Sequence, residues 1–106
     1  MAKYLLQATY SAEGIKGVAK DKASGRKAAI EKALAGVGAK LEAMYYVFGD
    51  YDAVLIVDAP DNVAMATVSF TTCGTGLARI KTVPLLTIEE TDQAVSRSVA
   101  YRGPGQ

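Results

Sequence analysis

Residues 45–58 read YYVFGDYDAVLIVD, with three tyrosines and three aspartates gathered around one glycine beside a strongly apolar run. The dipeptide Gly49-Asp50 suits a two-residue type II′ hairpin, because glycine accepts positive φ at the first central position. A strand over Leu41–Phe48 and another over Ala53–Asp58 then flank the turn. The fold turns on this hairpin. It makes the middle of the chain an antiparallel pair, and everything else is placed around it.

Outward from the hairpin, "KYLLQATY" (Lys3–Tyr10) is short, aromatic and aliphatic, which predicts a first strand. Ser11 then offers an N-cap for a helix with Ile15, Val18 and Ala19 on one face. Gly25 within "KASGRK" interrupts that helix, and Ser24 can restart it. Ile30, Ala33, Leu34 and Val37 renew the stripe, and Gly36 and Gly38 close it. A kinked or two-piece helix over 12–36 results. After the hairpin, Pro60 and Asp61 open a second helix with Val63, Ala66 and Phe70 on one side, which runs out at "CGTG" (Cys73–Gly76). Leu77–Leu86 reads as a fourth strand, and Pro84 within it calls for an edge position. Thr87 and Glu90 in "TIEE" form a capping box for a short last helix to Arg97. Residues 1–98 thus form one domain, and 99–106 are an aperiodic tail.

The order is βαββαβ plus a helix. With right-handed crossovers it gives an α+β, ferredoxin-like sandwich. Its four-stranded antiparallel sheet has order 4-1-3-2, with the helices on one face. The other face also asks for cover. "AVLIV" is apolar at both parities, whereas a half-exposed strand alternates. In the strand before it, Met44, Tyr46 and Phe48 share one face, and Leu41, Ala43, Tyr45 and Val47 the other. The expected cover is a second subunit, making a homodimer or higher homo-oligomer.

Composition narrows the chemistry. The 106 residues carry a formal charge of +1, which argues against nucleic acid as a partner and gives no reason for an anionic membrane. The aromatic-free "AVLIV" also lacks the bases' stacking platform of an RNA-binding sheet. No apolar run approaches the roughly 18 residues of a membrane span, and no signal peptide is visible, so a cytoplasmic protein is expected. The single Cys73 excludes an intrachain disulfide. With no histidine, a Ser-His-Asp or Cys-His site within one chain is excluded. Neither a metal nor another cofactor is expected.

Gly49, Tyr51 and Asp52 within "FGDYD", together with "KYLLQATYSAEG", "PDNVA", "TVPLLTIEE" and "AYRGPG", resemble the GYD domain family over almost the whole chain. The resemblance implies a ferredoxin-like domain of the dimeric α+β barrel kind, and it brings no settled activity with it. Histidine-dependent haem and oxygenase chemistry of the wider barrel group has no residue to rest on here.

The topology gathers polar residues at one end of the sheet: Tyr10, Ser11, Asp50, Tyr51, Asp52 and Arg79, with the N-terminus of the first helix and the Cys73–Gly76 loop. The functional reading is a small pocket. In it, Tyr51 or Tyr45 donates a hydrogen bond or proton, Asp52 accepts, and Arg79 with the helix N-terminus holds an anionic group. The structural alternative has Gly49 and Asp50 filling the turn, Asp52 capping free N–H groups, and Tyr51 packing over the hairpin. A two-residue loop sets Asp52 opposite Val47 on the face of Tyr45, Val54 and Ile56, expected to be the helix-covered one. Two functions compete. One is an oligomeric binding or assembly module for a small anionic or aromatic molecule. The other is a metal- and haem-free enzyme of monooxygenase, isomerase or decarboxylase type using Asp52 and tyrosines. The enzyme requires Asp52, a tyrosine hydroxyl and Arg79 to converge in a shielded cavity.

Overall fold

The structure is a computed structural model that describes residues 1–106. Its elements run β1 (Ala2–Tyr10), α1 (Ala12–Ala35), β2 (Lys40–Tyr46), β3 (Ala53–Ala59), α2 (Asn62–Cys73), β4 (Ala78–Leu85) and α3 (Ile88–Ser96). The sheet has order β2-β3-β1-β4, which is 4-1-3-2 read from the other edge, and every pairing is antiparallel. The ferredoxin-like arrangement with a C-terminal helix is therefore present, and Pro84 lies on an edge strand where its missing N–H breaks no inner ladder.

The cap residues set where the helices begin. The Ser11 hydroxyl accepts from Gly14 N at 3.1 Å, and the Asp61 carboxylate from Ala64 N at 2.9 Å. At α3 the capping box is complete, with Thr87 Oγ1 accepting from Glu90 N and Glu90 Oε1 from Thr87 N. Each bond satisfies a first-turn donor that the helix cannot. The break in α1 falls at Lys22 (φ 67°, ψ 160°) and not at Gly25, which stays helical. Glycine tolerates a helix at about 1 kcal/mol relative to alanine, so it permits a break without imposing one.

Tyr4, Leu6, Ala8, Ala53, Leu55 and Val57 form the inner layer, with Leu34 of α1 and Met65 of α2 packed on it. Ala53, Leu55, Val57 and Ala59 therefore face the helices, while Val54, Ile56 and Asp52 face the open side. This reverses the face expected for Asp52. Both parities of "AVLIVDA" are apolar, so alternation could not choose between them. A β-bulge between Leu41 and Ala43 adds a second change. It turns Leu41 in against the core beside Met44, while Ala43, Tyr45 and Val47 stay on the open face. On α2 the buried residues are Ala64 and Met65, whereas Val63 and Phe70 are exposed. Of the expected Val63–Ala66–Phe70 stripe, Val63 and Phe70 thus point outward and Ala66 is half-buried.

Candidate functional site

The hairpin end is held by Asp52. Its amide donates to Ala8 O (2.9 Å), its carbonyl accepts from Val47 N (2.9 Å), and its Oδ2 accepts from Tyr10 N (2.8 Å). One residue thereby joins β1, β3 and the end of β2, and its carboxylate stands in for a main-chain acceptor where the ladder runs out. Register follows the expectation: Val47 meets Asp52 and Tyr46 pairs with Ala53. The two-residue turn does not form. The ladder stops at Val47 and Asp52, Gly49 adopts φ 144°, and Phe48 is wholly exposed. That φ lies well beyond the value of a type II′ turn, and glycine alone takes it readily.

Tyr10, Ser11, Asp52 and Arg79 do meet at one end of the sheet, since Thr9 pairs with Arg79 and Ser11 N donates to Leu77 O (2.9 Å). They divide between its two sides. Tyr10 lies on the helix side, whereas Arg79, Asp52 and Tyr45 share the open side. Arg79 and Asp52 stand on strands separated by β1, and no ion pair joins them. Asp50 is exposed and Tyr51 half-buried, and neither side chain makes a hydrogen bond to the protein.

The concave feature is on the other side, between the sheet and both helices. A cavity of about 400 Å³ opens there, within the range of small-molecule sites. Leu6, Ala8, Leu55, Ile80, Ile30 and Val68 give it an apolar floor and walls, and Tyr10, Arg26, Asp21 and Thr72 add polar groups. The Lys22 break shapes it, because Val18 and Asp21 before the break and Arg26 and Ala29 after it all line the cavity. Arg26 Nη1 lies 3.6 Å from Asp21 Oδ2, a contact that spans the break. Tyr46 titrates close by. Burial of its phenol, and then the Tyr10 hydroxyl beside it, push its pKa from the usual 10.0 up to about 12.

Two glycines make room. A Cβ on Gly14 would lie 2.1 Å from Leu77 O, so only glycine lets α1 start against the segment entering β4. A Cβ on Gly17 would meet nothing within 4 Å, because Gly17 faces the cavity itself. None of Gly14, Gly17, Asp21, Arg26 and Tyr46 is among the site residues that the sequence suggests. The available signal was a pair of glycines three residues apart early in a predicted helix. No group of three or more cysteine or carboxylate side chains is arranged to hold a metal ion.

A family model described as the GYD domain matches residues 4–95. The chain belongs to the GYD domain family. The match runs from the start of β1 almost to the end of α3 and leaves the C-terminal tail outside it. No curated protein and no solved structure matches the chain. Within this GYD domain, Gly49, Tyr51 and Asp52 form the hairpin end, and Asp52 reaches the cavity only through the main chain of Tyr10. No helix is long and apolar enough to cross a membrane.

Proposed function

We propose that this GYD domain is a small binding or assembly module that pairs with copies of itself and holds a small molecule between its helices and its sheet. The observation that carries the reading is the cavity of about 400 Å³, apolar over most of its wall, with Arg26 and Tyr10 among its few polar groups. That chemistry suits a compact aromatic or aliphatic body with an anionic head. The guanidinium, 3.6 Å from Asp21, would exchange that contact for a ligand carboxylate, and the phenol would add a hydrogen bond. Asp52 supports binding over catalysis. It lies on the other side of the sheet, committed to Tyr10 N, and does not converge with Arg79 or a tyrosine hydroxyl. Pairing through the open sheet face belongs to the same reading, supported by half-buried Leu5, Val54, Ile56 and Val83 with no helix over them. So does a cytoplasmic setting, supported by one unpaired cysteine.

Calorimetric titration with phenylacetate, phenylpropionate and octanoate tests the cavity. The expected result is saturable binding that Gly17→Leu abolishes by filling the space, while folding stays intact. Arg26→Gln should weaken affinity about tenfold, the order of one charge-assisted hydrogen bond. Asp52→Asn should leave it unchanged. Absence of binding by all three probes, or binding that survives Gly17→Leu, would overturn the cavity reading.

A further inference from the structure

The C-terminal arm is built as a structural element, yet its helix buries none of its residues. A complete capping box starts α3, and the Thr91 and Ser96 hydroxyls donate to carbonyls one turn back. Helices this short do not hold in water by propensity, so they persist by packing an apolar side. Here α3 has no buried residue. Ile88 and Val95, two turns apart on one side, are 81% and 75% exposed, and Leu86 before the helix and Tyr101 after it are also exposed. The chain's radius of gyration is 16.9 Å, against about 13 Å for a compact domain of this length. Within one copy α3 buries no residue against its own sheet. Only Leu86 and Thr87 join it to β4, and the capping box fixes Thr87.

The open sheet face offers the complement. Leu5, Val54, Ile56 and Val83 form its apolar row, and Arg79 and Lys81 project from β4 on the same side. Neither cation has a carboxylate within ion-pair distance, because the ion pairs are Lys3 with Glu42 and Asp58, Lys16 with Glu13, and Arg26 with Asp21. On α3, Glu89 and Asp92 are equally unpaired, and the helix has no basic residue. In a pair related by a two-fold axis across the strands, the Leu85 end of one β4 would lie over the Arg79 end of the other. The arm of each copy would then leave its own sheet at the cationic corner of its partner.

We infer that α3 is an exchange arm. In a pair of copies it lies along the β4 edge of the second copy's open face, with Ile88 and Val95 against Val83 at the outer end of the apolar row and Glu89 and Asp92 toward Arg79 and Lys81. This rests on pairing through the open face and is independent of the cavity and its ligand. Sedimentation equilibrium of the full chain, with circular dichroism as a control for folding, tests it. Wild type is expected to be dimeric at micromolar concentration. Ile88→Asp with Val95→Asp should dissociate it without loss of fold, since neither residue is buried in the single chain. Arg79→Glu with Lys81→Glu, and separately Glu89→Lys with Asp92→Lys, should each weaken the dimer about tenfold. All four reversals in one chain should restore it. A monomeric wild type would overturn both the arm and open-face pairing. A dimer indifferent to Ile88→Asp with Val95→Asp, or reversals that fail to rescue one another, would overturn the arm alone.

Discussion

At Asp52 three main-chain connections meet, and a carboxylate supplies one of them. Asp52→Ala leaves the Tyr10 amide without its acceptor, so a loss of about 1–3 kcal/mol is expected in urea unfolding. Asp52→Asn keeps an acceptor oxygen and should recover most of that. Equal losses in the two variants would mean that the hydrogen bond is not what matters. Tyr46 gives a second residue-scale expectation. Its folded pKa of about 12 lies above the ordinary 10.0, so the folded state holds the phenolic proton more tightly. Its contribution to stability is fully present below pH 10.0 and is lost as pH rises toward about 12. Tyr46→Phe, which has no proton to lose, should flatten the alkaline fall in urea midpoint over that window. An aspartate beside a strand end is legible as a capper of free N–H groups. Which amide it meets depends on the β1–β3 register and was not legible.

At the scale of elements, α1 shows where local signals stop. Ser11, Gly36 and Gly38 mark its ends because caps and left-handed residues are short-range chemistry. The break at Lys22 has no such mark, since lysine is a good helix former. Its φ 67°, ψ 160° lies in a region that is essentially glycine's, where a side chain stores about 1–3 kcal/mol. Lys22→Gly should therefore raise the melting temperature, and Lys22→Val should lower it. A fall in both would place the strain elsewhere. Gly14→Ala is expected to destabilise by about 1–3 kcal/mol through overpacking against Leu77 O. The strands show the same limit. Their positions follow from apolar runs and turns, but one bulge at Leu41/Ala43 reassigned a residue between faces.

For the whole molecule, only 13 of 106 residues are buried, a small core for a folded chain. Association that covers the open face and α3 would add apolar burial worth roughly 25 cal/mol per Å². Stability and assembly are then linked by mass action, so the melting temperature should rise as concentration increases from about 1 to 100 μM. A melting temperature independent of concentration in that range would count against a stabilising dimer.

The sequence by itself determined the element order, the sandwich it folds into, the edge position of Pro84 and the caps of α2 and α3. Each follows from periodicity, turn chemistry or a hydrogen bond within a few residues. Tertiary structure alone decided which face of YYVFGDYDAVLIVD meets the helices, where α1 breaks, and that the cavity lies across the sheet from Asp52. The reason is symmetry in the pattern. A strand apolar at both parities satisfies burial either way, and the choice is made only when α1 and α2 pack against small residues such as Ala53 and Ala59.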